Sequence, residues 1–284
     1  MRVRVAFTLL LLMMFAAVAG AQDRVSLRPN FKAGDESRYT ISALVETTVT
    51  PKGTTGIGGT SRGELTATVL VRTLSVSKEG EVSQEATVES ISFSSKKAGV
   101  ASPADANETA GKKIEFAMSP SGYLVKCSIP ESPGYLALAD LLFSMPRWYP
   151  AGEVSVGGSW EAAGRGNLYT ERLSETSMGS NTAYRLVSLA KGLASIDGAV
   201  TMKQSGSSVF NAGQGFVNIS VIASGKGTAH IDVDAASGLL IGGTTEGRVE
   251  GSLLNIQPTA AGEKMQPREG ALVETSKFSI KLVQ

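Results

Sequence analysis

The feature that most constrains this chain is a two-residue hydrophobic period that runs through most of its length. From Arg38, Tyr39, Ile41, Ala43, Val45, Thr47 and Val49 share one parity, while Thr40, Ser42, Glu46, Thr48 and Thr50 take the other. Successive strand side chains point to opposite faces, so this pattern predicts a strand buried on one side and wet on the other. Leu65, Ala67, Val69 and Val71 repeat it. Val82, Ala86 and Val88 repeat it again until Ile91 and Phe93 change parity near Ser90, which predicts a bulge. Ile114 to Met118 and Tyr123 to Ile129 flank Ser119-Pro120-Ser121-Gly122, the composition of a hairpin turn.

The second half continues the grammar at Ser159 to Glu175, Ala183 to Ala190, Val217 to Ser224, Gly227 to Asp234, Leu239 to Leu254 and Leu272 to Val283. Three stretches rich in Gly, Ser, Ala, Pro and charge, Ser94 to Lys113, Lys203 to Gly215 and Asn255 to Gly270, read as hairpin loops between strands. Two landmarks recur in order. Gly34-Asp35 leads to Tyr39 and Gly157-Gly158 leads to Trp160; Ser121-Gly122 precedes Tyr123-Leu124-Val125 and Ser237-Gly238 precedes Leu239-Leu240-Ile241. Near-equal offsets suggest two related halves.

One helix is expected, between the halves. Ser132 is an N-cap and Pro133 falls at the first helical position. Leu138, Leu141, Leu142 and Met145 share a face, and Pro146 ends the run.

Composition and the amino terminus bound the function. Lys plus Arg number 27 against 26 Asp plus Glu, so no charge excess favours nucleic acid. Arg2 and Arg4, an apolar run from Val5 to Val18 and Ala19-Gly20-Ala21 make an export signal expected to end at residue 21. The remainder, 22–284, reads as one β-rich domain with a front half 22–130, a linking helix 131–146 and a back half 147–284. No later stretch reaches transmembrane length. Cys127 is the only cysteine, so burial and not a disulfide must hold the fold.

Candidate chemistry is sparse. His230, Asp232 and Asp234 fall on one strand face, with Ile231 and Val233 on the other; an imidazole beside carboxylates suits a divalent metal or, with a serine, a hydrolase. No G-x-S-x-G elbow occurs, and the default for such a face is solvation. The glycines of Gly53 to Thr60 and of Gly225-Lys226-Gly227-Thr228 lack the strand-to-helix context of phosphate loops and read as turns. Asn107-Glu108-Thr109 and Asn218-Ile219-Ser220 fit the glycosylation sequon.

The Ser-Pro-Ser-Gly hairpin, the apolar helix ending in Met145-Pro146 and the Val156-Gly157-Gly158-Ser159-Trp160 turn together resemble uncharacterised families of exported bacterial β-rich proteins in which a G-D-S-W turn opens the second half. A looser architectural likeness is to periplasmic lipoprotein-carrier folds, in which a curved sheet closed by helices holds acyl chains.

The expected fold is all-β: a strongly curved antiparallel sheet or partly open barrel of two related halves, with the helix against its mouth. The expected function is a non-enzymatic exported module, periplasmic or extracellular, that binds an apolar small molecule or lipid, or an envelope protein. Tyr135, Leu138, Leu142, Phe143, Trp148 and Trp160 are the candidate ligand-binding residues. No catalytic residue, metal or cofactor is expected. The alternatives are an assembly component acting through exposed strand edges and, third, an enzyme built around His230.

Overall fold

The computed structural model describes residues 24–53, 58–97, 100–102, 110–120, 124–128, 149–166, 177–211, 216–256 and 267–283. The elements are β1 (Arg24–Val25), β2 (Glu36–Pro51), β3 (Gly59–Val76), β4 (Val82–Lys97), β5 (Val100–Ser102), β6 (Lys113–Met118), β7 (Leu124–Ser128), β8 (Val154–Ser155), β9 (Ser159–Gly166), β10 (Ser177–Ala190), β11 (Leu193–Asn211), β12 (Phe216–Asp234), β13 (Leu240–Ile256) and β14 (Pro267–Val283). There is no helix among the described residues; the expected helix at 131–146 lies outside them.

Eleven strands run in one antiparallel path, β7-β6-β4-β3-β2-β14-β13-β12-β11-β10-β9, with β5 paired to β4 off the path and β1 paired to β8 as a separate ribbon. The sheet does not close into a barrel: β7 and β9 stand at its two ends. Each half is a meander, and the two meet where β14 pairs with β2.

The predicted alternation is met. In β2, Tyr39 and Ile41 are buried while Glu36, Arg38 and Glu46 face solvent. The parity change near Ser90 is a bulge: Thr68 pairs with Ser90 and Val69 with Val88, leaving Glu89 unpaired on β4. The bulge aims Glu89 along the outer face at Arg38, which donates to both its oxygens at 2.7 and 2.8 Å.

Three readings are corrected. Val217 to Ser224 and Gly227 to Asp234 are one strand, β12, and Gly225-Lys226-Gly227 is not a turn but its middle. The stretch from Lys203 is not a loop throughout, because β11 continues to Asn211 in unbroken register with β12. Similarly β4 runs to Lys97, β13 to Ile256, and β14 begins at Pro267. Gly and Ser look like punctuation in a sequence, yet a strand fully paired on both sides tolerates them where two backbones must approach closely.

The Gly34 and Gly157 turns share one hydrogen-bond pattern. Gly34 N–H donates to Thr73 O and Thr73 N–H returns to Asp35 O, both at 2.8 Å. Gly157 N–H donates to Leu186 O at 2.7 Å and Leu186 N–H returns to Gly158 O at 3.0 Å. Both glycines take positive φ, +92° and +88°, a conformation that side-chain-bearing residues adopt only at a cost.

Candidate functional site

Every long strand has one end among residues 36, 76, 82, 159, 190, 193, 234, 240 and 283, called here the near end, and the other at the far end. The inner face differs between the two ends.

At the near end the inner face is filled. Ile41, Val69, Val88, Ile114, Leu186, Ile196 and Val233 are fully buried, in two clusters that Leu240 touches both of. The segment before β2 runs across this end. β1 pairs with β8, Leu27 is fully buried against the β10–β12 cluster, Asn30 N–H donates to Ser237 O at 2.8 Å, and Gly34 reaches Thr73. Arg28 fastens the crossing by donating to the carbonyls of Pro150 and Ala151. Gly238 is needed where the segment passes, since a Cβ there would meet the Arg28 carbonyl at 2.4 Å and its φ is +70°. Tyr149 packs on the same cluster; burial and the nearby Tyr39 phenol hold its hydroxyl well above the ordinary range. Burial likewise pushes Tyr39 up to about 12.

Trp160, expected at the mouth, is on this inner face, half-buried and stacked on Tyr184 with ring centroids 5.6 Å apart. The Tyr184 ring covers Gly198, where a Cβ would fall 2.9 Å from its Cε1. The other candidates, Tyr135, Leu138, Leu142, Phe143 and Trp148, lie outside the described residues.

Toward the far end the inner face thins. Ala223, Val249 and Leu272 are buried, and Val49, Met202, Val221 and Leu253 pack on them while remaining half-exposed. Opposite positions carry glycine: Gly225 faces Val249, Gly227 faces Gly247, and Gly251 faces Ala223. A Cβ on Gly225 or Gly251 would land on the carbonyl oxygen of Arg248 or Ile222 in the neighbouring strand. The sheet is therefore creased along β12 and β13, and Met202 lies in the gap over Gly247, 2.7 Å from where its Cβ would sit.

Polar groups also face inward here. Glu274 is half-buried beside Leu272 and opposite Val249 and Thr47; Thr47 Oγ1 donates to it at 3.2 Å, and desolvation raises its carboxyl above the usual range. Gln204 Oε1, opposite Ala223, is buried without a hydrogen-bond partner among the described residues. Sequence reasoning missed this surface, since periodicity shows which face is inner and not how much of it is covered.

His230 is on the outer face. Its Nδ1 lies 2.7 Å from Asp197 Oδ1 and its Nε2 3.5 Å from Asp232 Oδ1, and the Asp197 hydrogen bond is the main cause of its raised pKa. Asp197 comes from β11, a partner the sequence did not name. Ser195 donates to Asp232 at 2.7 Å, so a carboxylate stands between serine and imidazole. Asp234, expected on the same face, instead caps the β12–β13 turn by accepting from Ser237 N–H and O–H at 2.7 and 2.6 Å. Among the described residues no three His, Cys, Asp or Glu side chains gather to hold a metal, and no helix is long and apolar enough to cross a membrane.

Residues 124–240 match the model of a family described as Family of unknown function (DUF6263), a span containing the Gly157-Gly158-Ser159-Trp160 turn on which the resemblance to an uncharacterised family was drawn. No curated protein matches. Among solved structures the chain is similar to one titled "Lipid-protein interactions in lipovitellin", at 9% identity and TM-score 0.47, covering 90% of this chain and 26% of that one. It thus spans about a quarter of that protein's length. It is also similar to Pseudomonas aeruginosa OccK7 (OpdD), at 8% identity and TM-score 0.19, with 88% of this chain and 99% of that one covered.

Proposed function

We propose that the protein is an exported, non-catalytic binding module that holds an apolar small molecule against the inner face of its sheet, at the far end. One observation carries this reading: among the described residues the near end holds two large buried clusters, whereas at the far end only Ala223, Val249 and Leu272 are buried, with Val49, Met202, Val221 and Leu253 half-buried over them. Apolar lining left partly open to water gains on the order of 25 cal/mol for each Å² that a ligand covers. The Gln204 oxygen supplies a polar group on a mainly apolar lining, the usual make-up of such sites. The shared turn pattern at Gly34 and Gly157 supports reading the two halves as related copies.

The test is titration of the protein from residue 22 onward with cis-parinaric acid, alongside solvent extraction and mass spectrometry of the freshly purified protein. Saturable binding that falls at least tenfold in Val49→Glu, at a half-buried position whose folding is checked by circular dichroism, is the expected result. Absence of saturable binding together with absence of co-extracted apolar material would overturn the proposal.

A further inference from the structure

The outer face carries a cavity separate from the inner lining. Over the middle of β12, β13 and β14 is an open cavity of about 430 Å³, walled by Leu44, Lys226, Glu246, Arg248 and Lys277, with the Gly227 and Gly247 backbones among its lining. That volume falls within the range of small-molecule sites, roughly 300–1,000 Å³.

Its charged walls are net positive, Lys226, Arg248 and Lys277 against Glu246. Lys226 and Arg248 stand directly opposite each other in the β12–β13 register, and like charges so placed repel. Two carboxylates lie within diagonal reach of Lys226, and both are engaged elsewhere. Glu250 accepts from Arg248 Nε at 2.8 Å, and Glu246 accepts from Lys277 Nζ. Lys226 makes no ion pair among the described residues. Three cations thus share two carboxylates, and a further anion would relieve the Lys226–Arg248 repulsion. Arg248 engages Glu250 through Nε, and its terminal nitrogens can present the fork that suits phosphate oxygens. Thr228 and Thr275 bring hydroxyls to the same rim, and Leu44 an apolar wall.

We infer that this cavity binds a phosphate monoester of a small hydroxylated molecule, its phosphate between Lys226 and Arg248 and its body over Gly227 and Gly247. The probe is glucose 6-phosphate, added at constant ionic strength while the backbone amides of an isotope-labelled sample are followed by NMR. Glucose and sodium chloride serve as controls, and vesicles carrying phosphatidic acid separate a soluble monoester from one on a membrane surface. The expected result is saturable shifts at residues 226–228 and 246–248, absent with glucose. Affinity should fall at least tenfold in the doubly substituted Lys226→Gln, Arg248→Gln protein, whose changed side chains are exposed and whose fold is checked by circular dichroism. Vesicle binding lost in the same variant would support the site and assign its ligand to a lipid headgroup. Shifts reproduced by chloride, shifts retained in the variant, or no response to either phosphate probe would overturn the inference.

Discussion

The two ends of this sheet are built from the same strands and hold very different interiors. At the near end β-branched and aromatic residues interlock beneath a crossing segment anchored by Leu27 and Arg28. At the far end alanine, glycine and half-exposed valine face one another across a crease. A strand satisfies its backbone equally well in both settings, so hydrogen bonding does not distinguish the ends. The difference lies in side-chain volume: among the described residues one end fills its inner face with large buried side chains, and the other leaves its apolar side chains half-buried. On the proposed reading, the near end is the stabilising half of each strand and the far end the half that binds.

The largest expected effect tests that division directly. Leu186→Ala removes a fully buried side chain from the near end and should cost about 2–5 kcal/mol. Val49→Ala removes half-exposed methyls from the far end and should cost about 1 kcal/mol or less. Urea unfolding of the two variants gives the comparison, and equal losses would mean that both ends are packed alike.

A second pair sharpens the account of the crease. Glycine inside a strand is ordinarily a weakness, and replacing it with alanine gains roughly 0.5–1 kcal/mol where space allows. Gly63 on β3 has open space around its missing Cβ and should follow that rule. Gly225 on β12 should reverse the sign and lose about 1–3 kcal/mol, because its Cβ would meet the Arg248 carbonyl. Thermal unfolding separates a gain from a loss, and stabilisation by Gly225→Ala would remove the crease from the argument.

This pair also shows how much the sequence disclosed. Alternation at Tyr39, Ile41, Leu65 and Val69 revealed the strands and their buried face, and the slip between Val88 and Ile91 revealed a bulge one residue from where it lies. Gly225 and Gly227 misled because glycine serves turns and close strand contacts alike, and only the partner strand, more than twenty residues away, decides between them. The far-end lining was illegible for a related reason. Val221, Val249 and Leu253 look in sequence like any other inward residues, and their exposure depends on what four neighbouring strands place around them. Trp160 stood out because an aromatic at a strand start is conspicuous, and it packs on Tyr184 in the near-end cluster, whereas Asp197 did not, since its pairing with His230 is set by the β11–β12 register.

A smaller effect concerns Glu274, the carboxyl on the far-end inner face. Its folded-state pKa is raised by desolvation, so its protonated form is the one the fold favours. Its stabilising contribution is complete below the ordinary glutamate range and is lost as pH rises through the raised value. Glu274→Gln should therefore raise the unfolding midpoint at pH 7 and leave it nearly unchanged at pH 4. A near-end residue of equal burial would have little water nearby to soften the cost. The size of the pH-dependent gain thus measures how wet the far end is, and bound apolar ligand should enlarge it by excluding that water.

The smallest expected effect belongs to His230, on the opposite face of the sheet. Hydrogen bonding to Asp197, with the Asp232 charge adding to it, raises the imidazole pKa, so the folded state favours the protonated ring. The associated stability is fully present below about pH 6.5, the unfolded value, and fades as pH climbs through the raised folded value. The ring is about half exposed, and solvent screening limits the contribution to below about 1 kcal/mol. His230→Gln should thus lower the unfolding midpoint slightly at pH 5.5 and not at pH 8.5, the same direction of pH dependence that Glu274 gives in a lower window. Because the two groups lie on opposite faces, ligand on the inner face should shift the Glu274 transition and leave the His230 transition in place. If both moved together, the ligand would be acting on the whole sheet and not on its far inner surface.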